Sequence, residues 1–193
     1  MPASESLDRA LGFGPVEHIQ GVLNGSTGIV LDEMSRGVSR LEAVAAARRA
    51  GALESDADED LSGRDAARKL LILARRAFGG GFQLSDIDIQ GVPADLEALS
   101  DPSARVRIVA EARLGKDGPK LSVQPRVLSD DNVLFDARSS WNRLSVMCRS
   151  GEIVEAQGAG AGRYPSAEAV IADVLRASEL PVKSPSGSVS HGG

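Results

Sequence analysis

The chain is 193 residues long with 42% hydrophobic and 25% charged residues, enough for one globular domain with its own core, which excludes a disordered or fibrous protein. A net charge of -5 excludes a dedicated surface for nucleic acid or anionic membrane. A single cysteine, Cys148, excludes an internal disulfide. Two distant histidines, His18 and His191, exclude a zinc-type cluster, and no apolar run is long enough for a membrane helix. With no signal peptide in view, the reading is a cytoplasmic protein without a metal site.

In chain order, "ASESLDRALGFG" reads as a short helix ended by glycine and Pro15, and "VEHIQGVL" as a strand. "NGSTGIVLDEMSRG" turns at Asn24-Gly25 and continues as a helix closed by Gly37. Ser39 with Glu42 forms a capping box for "RLEAVAAARRAG", which Gly51 stops. Ser62 is placed to cap the helix running to Phe78. "FQLSDIDIQGV" alternates as a strand, and "PADLEALS" predicts a short helix. "ARVRIVAEARLGKDGPKLSVQPRVL" is a hairpin about Lys116-Asp117-Gly118, and "NRLSVMCRSGEIVEAQG" a second one about Ser150-Gly151. "GAGAGRYPSAEAVIADVLRAS" is a glycine loop entering a last helix, and residues 181–193 read as a disordered tail. Helices first, antiparallel strands next and a closing helix predict an α+β domain: a mixed, mainly antiparallel sheet layered with helices.

Four stretches carry candidate chemistry. Five carboxylates crowd Glu54 to Asp60. A calcium loop fails, because Leu61 stands where glycine is required and Ala67 where the closing glutamate belongs. A solvated acidic loop before a helix and a built polar site both remain open. Asp65 and Lys69 have the i,i+4 spacing of a surface pair, yet share a helical face with Ile72 and Leu73, which predicts a lysine at the mouth of a buried face. Such a lysine is suited to polarising a carbonyl or moving a proton. "GAGAGR" at 158–163 is no dinucleotide fingerprint, since Arg163 takes the third glycine position. Its amides could meet an anion, or form a plain turn. Ser26 and Thr27 read as helix caps or as carboxylate-binding groups.

Together, "GVLNGSTGIVL", the stretch "AVAAARRAGALESDADEDLSGRDAARKLLILARRAFG" and "GAGAGRYPSAEAVIADVL" resemble, in order and spacing, the catalytic and dimerisation region of homoserine dehydrogenases, from about Ser4 to Leu175. The resemblance implies an enzyme that interconverts aspartate 4-semialdehyde and L-homoserine with NADP or NAD, in the pathway to threonine and methionine. Catalytic roles fall on Lys69, Asp65 as its orienting partner, and Asp60 near the reacting oxygen. Glu54 would bind the substrate amino group, and Gly25 and Ser26 its carboxylate. Gly158, Gly160 and Gly162 would lie near the nicotinamide. It further implies residues 1–180 as a homodimeric catalytic/dimerisation domain. The family's Rossmann fingerprint and the Asn-Lys segment with a second active-site lysine are not in this sequence, so the cofactor would come with a nucleotide-binding domain supplied in trans. Ala52 and Ile29 stand where the family commonly has aromatics, an altered pocket. Two other readings stay open: a cofactor-independent enzyme on a small amino-acid substrate, and a non-catalytic dimeric binding module.

Overall fold

In the computed structural model, which describes residues 1–53, 56–96 and 104–160, helices α1 (Ala3–Leu11), α2 (Gly25–Ser35), α3 (Arg40–Arg49), α4 (Asp58–Leu61) and α5 (Arg64–Phe78) accompany a mixed sheet. The strands are β1 (Val16–Val22), β2 (Ile87–Ile89), β3 (Arg105–Gly115), β4 (Gly118–Leu128), β5 (Trp141–Cys148) and β6 (Ile153–Ala159). The sheet order is β2-β4-β3-β1-β5-β6; β2 runs parallel to β4 and every other pair is antiparallel. This is the mixed, mainly antiparallel α+β architecture that the alternation of residues predicts.

Strand alternation decides what each face holds. Ile19, Ile108, Ala110, Val123, Leu144 and Val146 turn towards the helices and join Leu7, Leu31, Leu70 and Leu73 in the main core. A bulge between Val16 and His18 sets the phase of β1. The other sheet face carries a smaller cluster, Val22, Val109, Leu128, Leu134 and Ala137, beneath the segment 129–140. His18 also lies on this face. Its Nε2 is 2.9 Å from Glu111 Oε1, and Arg113 lies against the same ring. Burial, reinforced by Arg113 and opposed by Glu111, holds the His18 imidazole below its ordinary pKa.

Most local expectations hold. Ser39 and Glu42 cap α3 reciprocally, and both hairpins pair in the expected register. Three do not. Ser62 caps nothing at α5; it closes α4, and the helix begins after Gly63 at φ 81. The short α4 consumes the residues that would have led into the cap. Only Ile87–Ile89 of the predicted strand from Phe82 is a strand. Asp86 accepts a hydrogen bond from the Gln83 amide at 2.7 Å and curls Leu84–Asp86 into a 3-10 turn first. Ile72 is 62% exposed. The buried side of α5 is Ala66, Ala67, Leu70, Leu73 and Ala74, so Lys69 stands beside the core-facing stripe and not at its mouth. The predicted helix "PADLEALS" falls in part, and the last helix and the 181–193 tail wholly, outside the described residues.

Candidate functional site

Strand β1 ends at Val22, and the chain enters α2 through the core residue Leu23 and then Asn24. Asn24 caps that helix: its Oδ1 accepts from the Thr27 amide at 3.1 Å. The same carboxamide then spends both Nδ2 protons on two carboxylates, donating to Asp60 Oδ1 at 2.7 Å and Asp65 Oδ2 at 2.8 Å. Asn24 is 6% exposed, and its three hydrogen bonds leave its amide without slack. A neutral bridge therefore holds the end of α4 and the first turn of α5 against the start of α2.

Lys69 completes the group. Its ammonium donates to Asp65 Oδ2 at 2.6 Å and to the Leu23 carbonyl at 3.0 Å. An ammonium has three donors, and the third has no partner among the described residues. The Lys69 side chain is 46% exposed and that of Asp65 32%. The arrangement is a cation fixed by one carboxylate and one main-chain carbonyl, with a second carboxylate, Asp60, tied to the first through Asn24. It can hold a proton at Nζ beside a ligand while the fold keeps the ammonium in place.

The acidic run divides. Asp60 turns to this group, whereas Asp56, Asp58 and Glu59 line a separate open cleft of about 730 Å³ together with Arg40 and Arg64. Glu59 also pairs with Arg68. Glu54 lies outside the described residues.

A third segment closes over the first turn of α2. Gly25 and Ser26 are buried there. A Cβ on Gly25 would sit 2.3 Å from the Ser140 carbonyl oxygen and 3.1 Å from the Gly160 carbonyl carbon, so this approach requires glycine. Gly160 donates its amide to the same Ser140 oxygen at 2.7 Å. Gly158 does not reach the lysine group; it is the register partner of Asn142 and packs against Met1. Gly162 lies outside the described residues.

Two residues that the sequence reading did not assign to a site belong to this group. Asn24 was legible only as a turn, with Ser26 and Thr27 read as the caps; Asn24 itself caps α2, and its bridge between two aspartates is a tertiary fact. Asn142 carried a signal: it is in phase with Leu144, Val146 and Cys148, which all join the main core. A carboxamide in an apolar phase is out of place unless it has a task.

The family model for homoserine dehydrogenase matches residues 2–175. The chain belongs to the homoserine dehydrogenase family. It is 31% identical over 179 residues to an NAD(+)-dependent homoserine dehydrogenase of Pseudomonas canavaninivorans, covering 90% of this chain and 51% of that protein. Among solved structures, a homoserine dehydrogenase from Thiobacillus denitrificans aligns with a TM-score of 0.77 at 26% identity, over 93% of this chain and 44% of the other. One from Thermoplasma acidophilum gives a TM-score of 0.78 at 26% identity, over 92% and 54%. The chain thus spans about half the length of the homoserine dehydrogenases that it matches. The shared half contains both motifs that build the lysine group, "NGST" and "DLSGRDAARK".

Proposed function

We propose that residues 1–180 are a homoserine dehydrogenase-type catalytic and dimerisation domain, interconverting aspartate 4-semialdehyde and L-homoserine with NADP or NAD. The observation that carries this reading is the joined group Asp60–Asn24–Asp65–Lys69, with its ammonium fixed at two of three donors. In the aldehyde-to-alcohol direction Lys69 supplies a proton or positive charge to the developing alkoxide. Asp65 keeps the ammonium oriented, and Asp60 stands near the reacting oxygen. Glu54 takes the substrate amino group, and the first turn of α2, at Gly25 and Ser26, its carboxylate. The glycine segment Gly158, Gly160 and Gly162 borders the nicotinamide, which supplies the hydride when bound.

The residues here do not fit a whole dinucleotide. Gly158–Gly162 break the fingerprint at Arg163, and Gly158 and Gly160 spend their space on Met1, Asn142 and Ser140. No pyrophosphate cradle exists among the described residues. In this reading the nucleotide-binding domain is supplied in trans, and the site is cytoplasmic, as befits amino-acid biosynthesis. The same misfit favours a second reading, a dimeric module that binds the amino acid without redox chemistry. A saturation-transfer NMR screen of homoserine and NADPH against the chain tests both. Homoserine is expected to bind, and NADPH weakly or not at all. Micromolar NADPH binding overturns the supply in trans, and silence from homoserine overturns the amino-acid site.

The homodimer is part of the proposal. Trp141 and Ile153, on the sheet face away from the main core, are 47% and 57% exposed, and a second copy would cover them.

A further inference from the structure

Asn142 is 7% exposed, and half of its carboxamide has no use in the fold. Its Nδ2 reaches the Leu23 carbonyl at 3.4 Å, the oxygen that also receives Lys69 at 3.0 Å. Its Oδ1 is fully buried and accepts no hydrogen bond among the described residues. The other buried polar side-chain atoms in that condition among the described residues are Nε donors of Arg40, Arg105 and Arg143, whose long chains have other nitrogens to spend. Asn142 Oδ1 is an acceptor, and it sits where three parts of the site meet. Gly160 lies flat on the carboxamide: a Cβ there would come within 2.2 Å of Oδ1. Residue 142 faces the main core like Leu144 and Val146, so a leucine would satisfy the packing alone. A buried amide oxygen left without a donor is a cost that a fold removes unless something else uses it.

Taking the lysine group as the amino-acid site proposed above, we propose that Asn142 is a ligand-binding residue, whose Oδ1 accepts a hydrogen bond from an N–H donor of a small ligand seated between the Leu23 carbonyl and the Gly158–Gly160 segment. A carbonyl oxygen accepts from N–H or O–H donors and offers nothing to an ionised carboxylate or phosphate. Two small ligands bring that donor here: the ammonium of an amino acid, and the primary carboxamide of a nicotinamide ring. Either enters with the glycine segment shifted off the carboxamide, which is where a glycine is needed and a side chain would obstruct.

The test is saturation-transfer NMR on the 193-residue chain, titrating homoserine and, separately, nicotinamide mononucleotide. Wild type is compared with Asn142→Leu, Asn142→Asp and Lys69→Ala. Asn142→Leu keeps the branching at Cγ and removes the acceptor; it is expected to weaken one probe by about tenfold or more. Asn142→Asp keeps an acceptor and loses the Nδ2 donor, and is expected to stay within about threefold of wild type for that probe. Which probe responds identifies the source of the N–H. Equal losses in both variants assign Asn142 to structure alone and overturn the proposal, as does an unchanged affinity in Asn142→Leu or silence from both probes with wild type. If Asn142→Leu does not fold, Asn142→Asp decides: retained binding supports the acceptor, and its loss overturns it. The Lys69→Ala arm separates the two ideas. Homoserine affinity that survives Lys69→Ala overturns the amino-acid reading of the lysine group, while a response of the nicotinamide probe to Asn142→Leu still upholds the acceptor.

Discussion

Lys69 owes its position to two acceptors of different character, a carboxylate one helical turn away and the carbonyl of Leu23 just past the end of β1. Because both side chains of the ion pair are well exposed, Lys69→Ala should cost the fold only about 0.3–0.5 kcal/mol. Alanine is at home in a helix between Arg68 and Leu70. The functional effect is expected to be much larger: removal leaves Asp60 and Asp65 bridged by Asn24 with no cation between them, and homoserine binding should vanish. Thermal melts and binding measured beside Lys120→Ala, a lysine in β4, check this; equal and negligible effects on binding would return the pair to an ordinary surface salt bridge. His18 makes a different prediction. Its pKa in the fold is depressed below 6.5, by burial first and Arg113 second. The unfolded chain therefore binds the proton more readily, so the stabilisation from a neutral His18 is complete above about pH 6.5 and is lost as the pH falls through the folded value. The melting temperature should drop between about pH 7.5 and about pH 5, and His18→Gln should flatten that slope. A slope that is the same in the variant would assign the acid sensitivity to the carboxylates. How far such residues were legible follows from what each bond depends on. The i,i+4 spacing of Asp65 and Lys69 is local and readable, whereas the Leu23 carbonyl that completes the lysine's setting is 46 residues away and has no signature in any side chain.

Between elements, the pair Arg107–Asp32 does what the helix caps cannot. Arg107 in β3 is wholly buried and donates to Asp32 of α2 at 2.7 Å and to the Ala137 carbonyl at 2.6 Å. Asp32 also accepts the Ser139 amide at 3.0 Å. One ion pair thus fastens α2 to the sheet and holds the segment whose Ser140 carbonyl receives Gly160. Asp32→Asn should cost about 3 kcal/mol in denaturant unfolding, since it leaves a buried guanidinium without its counter-charge. Adding Arg107→Met should recover part of that loss by removing the stranded charge. A single-variant cost under about 1 kcal/mol would mean that water reaches the pair through the exposed edge of Asp32. The elements themselves were largely readable. Alternation in 105–128 and 141–159 dictates the hairpins, and the capping box at Ser39 starts α3. Where reading failed, a nearby polar group offered the backbone a local alternative: Asp86 turned a would-be strand into a 3-10 turn, and α4 took over the residues meant to lead into α5. The bridge at Asn24, built from a cap, two aspartates and a lysine on three different elements, could not be read from any one of them.

For the molecule as a whole, the exposed part of the sheet face away from the main core predicts its assembly. Trp141 and Ile153 should bring two copies together, and sedimentation at tens of micromolar, on the order of typical homodimer constants, should report a dimer. A monomer would count against the dimerisation half of the proposal while leaving the lysine group untouched. The overall architecture was the most legible feature of all, since helix periods followed by strand periods leave few ways to bury both. The site was legible only as motifs in series, because its parts are far apart along the chain. That distance has a thermodynamic consequence. The Leu23 carbonyl meets Lys69 across 46 residues and Asn142 across 119, so no fragment short of the folded domain can assemble the group. A ligand that needs all of it binds the native state and ignores the unfolded one, and by linkage it must raise the melting temperature: at a concentration a hundredfold above its Kd, by the equivalent of about 2.7 kcal/mol. A plain thermal-shift plate of amino acids, aldehyde analogues and nicotinamide fragments would therefore rank this protein's ligands before any reaction has been observed.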